Sequence, residues 1–408
     1  MPNLPFSEPP RPRQAIAAGL LLLSAAPIQL TSPWSALWTT PAILIASLLL
    51  AWGAETAQFF VAQGFALAIL AWLQTLPEFA VEAVLAWKQQ TTLLLANLTG
   101  ALRLLTGLAW PIIYFTAAVV HRRRTGKPMR EIQLRAHHSV EVVGLIFPLL
   151  YAVFIWWKGT LEIYDAVVLI AIYAGYLVLL SKLPPEEHER VEDLAAVPRA
   201  MVRASRPKRN AAILACFFAG GAIIYFVAEP FLGSLVSLAT ALGIPSFVII
   251  QWLAPVISEF PELLSTFYFA RQEEEAPVAL MNIVSSNINQ WTLLVAMLPI
   301  VLSMGHGSVI SLTFDAEQEV ELLLTVLQST LALLFLMNMR FAWWEATLMF
   351  ALFASQFVLP EVFGAQAKLW ISTAFAAWGL LELLRLLLAR RSPRAFKAFS
   401  GVWRAHVR

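Results

Sequence analysis

The chain has 408 residues, 59% of them hydrophobic and 13% charged, with a mean hydropathy of +0.71; this excludes a set of soluble domains and places most of the chain in lipid. The net charge of +2 gives no case for a nucleic-acid partner, because the basic residues sit in short clusters between apolar runs. A single cysteine, Cys216, excludes an intramolecular disulfide and a cysteine-based metal cluster.

A bilayer core about 30 Å thick needs about 20 apolar residues per helix. Twelve such runs are predicted, at 14–30, 41–62, 64–87, 91–120, 138–157, 162–181, 210–232, 244–270, 277–303, 319–338, 343–360 and 367–389. The expected fold class is all-α, a polytopic membrane protein of about 12 spans. The first run follows Arg11 and Arg13 and has features of a signal peptide, but we read it as a retained span. Lys and Arg in short loops favour the cytoplasm. With the N-terminus inside, the cytoplasmic segments include Arg122, Arg123, Arg124, Lys127, Arg130 and Arg135, the stretch 182–209, Arg340 and the tail after Arg385. The opposite side carries little beyond Lys88, Lys158 and Lys368. The pattern predicts an integral protein of the cell membrane with both termini cytoplasmic.

The chain repeats itself. Pro77-Glu78 recurs as Pro261-Glu262 at an offset of 184, Asn97 as Asn282 at 185, Glu141 as Glu321 at 180, and Asp165 as Glu345 at 180. These offsets describe two five-span units, 41–181 and 210–360, joined by a charged cytoplasmic linker, 182–209. An extra span lies on each side, within 1–40 and within 361–408, the latter ending in a basic tail. Five being odd, the units enter the membrane from opposite sides, the inverted plan of many secondary transporters.

Pro77 and Pro261 lack an N–H and clash with the carbonyl four residues back, so each helix is expected to break there. Freed carbonyls at membrane depth are tolerated where they line a cavity or contact an ion. A carboxylate follows each break, Glu78 or Glu262. Two such charges meeting at the midplane balance a divalent cation, and oxygens are the hard ligands that Ca²⁺ takes. Gln74, Thr75, Ser258 and Glu259 are further candidate donors from the same helices. Proline kinks with glutamates held in buried hydrogen bonds are the bland alternative; duplication at matching depth argues against it. In the next helix of the second half Asn282, Ser286 and Gln290 share one face. The first half retains only Asn97, with Ala101 and Leu105 at the other two positions. Asn97 and Asn282 are also read as interhelical hydrogen-bonding glue.

Arg103 is a permanent cation near the centre of a span, and Glu78 and Glu82 are its expected partners. It either takes up charge that a second cation would neutralise or fixes two helices through an ion pair. Glu259 and Glu262 form a close like-charge pair, which favours a proton carrier. His137, His138 and Glu141 read as a polar helix start rather than a metal site. Tryptophans such as Trp156, Trp157, Trp343 and Trp344 suit interfacial belts. No phosphate-binding loop of the ATPase type is present, which argues against an ATP-driven pump.

At these residues the sequence resembles the cation/Ca²⁺ antiporters that include sodium/calcium exchangers. Their repeats carry Gly-Thr-Ser-x-Pro-Glu and then Gly-Asn-x-x-Gly-Ser-Asn-x-x-Asn (or Asp). Here the first motif becomes LQTLPE (73–78) and ISEFPE (257–262), and the second ANLTGALRLL (96–105) and MNIVSSNINQ (281–290). The resemblance covers about residues 41–360. It implies that Glu78 and Glu262 are the central Ca²⁺ ligands, that Gln74 and Ser258 take the Thr position and Thr75 and Glu259 the Ser position. Ser286 and Gln290 take the two ligand positions of the later helix. Ala101 and Leu105 replace oxygens that help bind Na⁺ in the exchangers.

The expected function is secondary antiport of Ca²⁺, or a related cation, against Na⁺ or H⁺ by alternating access. Its partners are membrane lipid and inorganic cations, with no cofactor beyond the transported ions. A degenerate, non-transporting scaffold of the same fold is the alternative. An enzyme is not expected, because no nucleophile sits beside a base at a recognisable spacing.

Overall fold

In lipid a backbone has no water to bond, so apolar runs satisfy themselves as helices, and the computed structural model is helical almost throughout. It describes residues 32–57, 59–60, 75–183, 191, 194–364, 366–388 and 393–406. The predicted span at 14–30 and the first part of the one at 64–87 lie outside the described residues. In chain order the helices are α1 (Ala36–Ala57), α2 (Leu76–Trp87), α3 (Thr91–Leu104), α4 (Trp110–Thr125), α5 (Ser139–Gly144), α6 (Ile146–Lys158), α7 (Ile163–Leu180), α8 (Ala196–Val202) and α9 (Arg206–Leu242). They continue as α10 (Ser246–Ser258), α11 (Phe260–Ala270), α12 (Ala276–Asn289), α13 (Val295–His306), α14 (Ala316–Leu336), α15 (Trp343–Phe363), α16 (Gln366–Leu388) and α17 (Arg394–His406). Among the described residues, eight helical stretches are long and apolar enough to cross a membrane.

The chain divides into two compact units, one built from residues 1–81 and 185–244 and the other from 82–184 and 245–408. In the first unit α1 and α9 pack at small residues. A Cβ on Gly220 would stand 3.0 Å from the Ala46 carbonyl oxygen and 2.8 Å from Leu50 Cγ, so close packing here depends on glycine. Thr39 and Ser234 share a hydrogen bond of 3.0 Å across this pair.

The second unit holds the remaining spans. There α3 packs tightly on α10, where a Cβ on Gly100 would fall 1.8 Å from the Gln251 carbonyl oxygen. Two π turns interrupt its helices: Leu105–Ala109 joins α3 to α4, and Gln290–Leu294 joins α12 to α13. They stand 185 residues apart, the offset of Asn97 and Asn282. Such bulges shift the side-chain register of the helix beyond them.

Four short strands close the ends of this unit. β1 (Glu131–Gln133) pairs antiparallel with β4 (Arg340–Ala342), and β2 (Thr160–Leu161) pairs with β3 (Leu312–Thr313). A shift of 180 residues carries β1 onto β3 and β2 onto β4, and it carries the first ladder's register onto the second. Because β1 and β2 flank the α5–α6 span, as β3 and β4 flank α14, the ladders lie at opposite ends of the unit. The helix starts repeat as well. Arg135 N–H donates to His138 Nδ1 before α5 (3.2 Å), and Asp315 N–H donates to Gln318 Oε1 before α14 (2.9 Å).

Candidate cation site

The span expected at 244–270 is broken as its proline requires. α10 ends at Ser258, α11 starts at Phe260, and Glu259 at the joint has φ −86° and ψ −1°. That backbone region is sparsely populated and recurs at functional sites. Glu262 therefore falls in the first turn of α11, and Glu78 falls in the first turn of α2. Unpaired N–H groups and the helix dipole favour a carboxylate at that place.

In the second unit the break brings five predicted residues into one cluster. Ser258, Glu259, Glu262, Ser286 and Gln290 are all buried. Glu262 has the Ser286 and Glu259 side chains as neighbours, and Gln290 Nε2 donates to Glu259 Oε1. Ser258 Oγ donates to the Ala254 carbonyl (3.0 Å). The side-chain carbonyl oxygens of Gln290 and Asn287 are buried and accept no hydrogen bond from the described residues. Asn287, which the sequence did not single out, donates its Nδ2–H to the Ile283 carbonyl at 2.8 Å. Asn282 is only half-buried, whereas Asn287 and Asn289 are fully buried.

The first repeat's residues divide between units. Thr75 and Glu78, buried, belong to the first unit; Gln74 lies outside the described residues. Glu82 and Asn97 belong to the second, where Asn97 Nδ2 donates to Glu82 Oε1 at 3.3 Å. Asn97 thus ties α2 to α3, the role of interhelical glue.

Arg103 corrects an expectation. Its partner is neither Glu78 nor Glu82 but Glu321, with Nη2 at 2.6 Å from Oε2, both side chains buried. Its other donors reach Gln356 Oε1 (3.1 Å) and the Thr99 carbonyl (3.0 Å). Glu321 also accepts from Gln251 (2.9 Å) and pairs with Lys368 at 2.6 Å. A buried charge persists when paired and hydrogen-bonded, and Arg103 meets that condition without the Pro-Glu carboxylates. The guanidinium therefore fixes α3 to α14. Glu321 was visible as a repeat of Glu141, and Lys368 as an isolated charge at the start of a span. Nothing in the linear sequence joined either of them to Arg103. Just before α5, the His137 and His138 rings stack edge to face at 4.4 Å between centroids. Among the described residues no group of three His, Cys, Asp or Glu is arranged to hold a metal ion.

No curated protein matches this chain. Among solved structures, it is similar to the H⁺/Ca²⁺ exchanger CAX, at 31% identity over 96% of this chain and 97% of that one, with a TM-score of 0.87. It shares its fold with a Ca²⁺/H⁺ antiporter, YfkE (15% identity, 88% of this chain and 97% of that one, TM-score 0.57). The sodium-calcium exchanger NCX_Mj shares it too (20% identity, 85% and 97%, TM-score 0.52). The family model described as sodium/calcium exchanger protein matches residues 31–182 and 212–359, and the chain belongs to that family of cation/Ca²⁺ antiporters.

Proposed function

We propose that the chain exchanges Ca²⁺ for H⁺ across the cell membrane by alternating access, with Glu78 and Glu262 as the carboxylates that take the cation. The observation that carries this reading is the buried cluster at the α10–α11 break. There two carboxylates, two hydroxyls and an amide lie together at the start of a helix, at membrane depth, where ionisable groups mark ion pathways. Ser258, Ser286 and the carbonyl oxygens of Gln290 and Asn287 supply further hard oxygen ligands of the kind Ca²⁺ takes. Thr75 and Gln74 serve in the first repeat.

Proton coupling is supported by two features. Ala101 and Leu105 place methyl and isobutyl groups where the resemblance to exchangers implies Na⁺-binding oxygens. Glu259 beside Glu262 forms a pair that two protons, or one divalent ion, neutralises. The 31% identity to an H⁺/Ca²⁺ exchanger points the same way.

The test is ⁴⁵Ca²⁺ uptake into proteoliposomes. A pH gradient should drive uptake, a Na⁺ gradient should not, and Glu262→Gln should reduce uptake at least a hundredfold. Uptake unchanged in a Glu78→Gln/Glu262→Gln double variant would refute the roles given to these residues; uptake driven by Na⁺ alone would refute the coupling.

A further inference from the structure

The exchange proposed above assigns no role to the last described helix, α17, yet its sequence is organised. RAFKAFSGVWRAH contains Arg394, Lys397 and Arg404 and no acidic residue. Its side chains form three stripes of residues seven apart, two helical turns, one residue from stripe to stripe. Ala395 and Val402 are buried against the protein; Phe396 and Trp403, on the next stripe, are 42% and 40% exposed. Lys397 and Arg404 follow on the third stripe and are exposed. A shallow groove on the outer side is lined by Phe396, Lys397, Ser400, Gly401 and Arg404.

The helix sits at the level where spans end. Ala395 N–H donates to the carbonyl of Met337, the C-cap of α14 (3.1 Å), and α17 packs on α5, the first turns of another span. The β1–β4 ladder lies at the same end, so the exposed Arg122, Arg123, Arg124, Lys127, Arg130 and Arg135 share it. Two nearby cations are already engaged in part: Arg340 pairs with Glu131 at 2.6 Å, and Arg124 approaches Glu274 at 3.7 Å. The three on α17 have no acidic neighbour on their own helix.

We propose that α17 is a binding site for anionic phospholipid of the adjoining leaflet. The headgroup phosphate lies in the groove between Lys397, Ser400 and Arg404, and Phe396 and Trp403 face the acyl boundary. Charge complementarity selects this occupant. Aromatic and cationic stripes side by side are the arrangement of helices that lie in the membrane interface, and juxtamembrane cations recruit anionic lipid. Gly401 leaves the groove floor open for the phosphate. The inference does not depend on which ions the protein exchanges.

The test uses the full chain in phosphatidylcholine nanodiscs containing a minor fraction of brominated lipid. Trp403 emission is isolated as the difference between the wild type and Trp403→Phe. Brominated phosphatidylglycerol should quench Trp403 more strongly than brominated phosphatidylcholine at equal fraction. That preference should be lost in Lys397→Gln/Arg404→Gln, retained in Arg404→Lys, and weakened by molar salt, which shortens screening to about 3 Å. Equal quenching by the two lipids would overturn the proposal, as would a preference that survives the double substitution. Abolition of the preference by soluble glycerol phosphate would also overturn it, by making the groove a site for free phosphate. The substituted positions are solvent-exposed, and an unchanged melting temperature verifies that the variants are folded.

Discussion

Arg103 illustrates what one residue demands of a membrane interior. The guanidinium keeps its charge at any relevant pH, so burial is possible only with a counter-charge and filled hydrogen bonds. Glu321 provides the charge, while Gln356 and Thr99 accept the remaining donors. Gln328 Nε2 donates to the Arg103 carbonyl, and Gln356 Nε2 donates to Gln328 Oε1. Removing one partner leaves the other uncompensated, a loss of about 3–5 kcal/mol for buried pairs. Lys368, 2.6 Å from Glu321, remains in an Arg103→Met variant and keeps the loss near the lower figure, about 3 kcal/mol. Arg103→Met/Glu321→Leu should recover part of that loss, because the buried carboxylate is then gone as well and Lys368 keeps Glu317 at 3.0 Å. Melting temperatures of the two variants in detergent check this; equal destabilisation would mean the pair is not coupled. The need for a partner was legible from the sequence. Its identity was not, because 218 residues separate Arg103 from Glu321 and packing alone brings them together.

Among the elements, the local signals carried furthest. Pro261 has no N–H to continue the ladder of α10, and α10 does end at Ser258. The first-turn places of Glu78 and Glu262 follow from the same rule. The π turns had no comparable signal, since LTGLA and QWTLL contain no residue that compels an extra turn. Gly100 has a larger structural consequence than its small size suggests. With the Gln251 carbonyl oxygen 1.8 Å from where a Cβ would lie, Gly100→Ala forces two backbones apart. The expected cost is about 3 kcal/mol, the upper end for overpacked cores. Gly221→Ala, with nothing within 4 Å, should be neutral or stabilise by up to about 1 kcal/mol through helix propensity. Thermal unfolding of the two single variants decides; similar shifts would remove the backbone contact as the reason for glycine at position 100.

For the whole molecule, the strand exchange makes a prediction about sidedness. β1 and β4 share one end of the second unit, β2 and β3 the other, so Arg123 and Val309, both exposed, should lie on opposite faces of the membrane. In a Cys216→Ala background, Arg123→Cys should react with an impermeant maleimide only from the cytoplasmic side. Val309→Cys should react only from the other. Labelling of both from one side would contradict the inverted arrangement.

Hydropathy, proline positions and the recurrence of Pro-Glu by themselves determined that this is a helical membrane protein, with a carboxylate after each predicted break. These features depend on a residue and its close neighbours in the chain, so a linear reading captures them. Tertiary structure alone decided that Arg103 belongs to Glu321, that β1 pairs with β4 and β2 with β3, and that Gln290 turns to Glu259. It also decided which stripe of α17 is buried. Each of these is a choice among several partners of equal chemistry, made by which helices pack against one another, and local sequence holds no record of that choice.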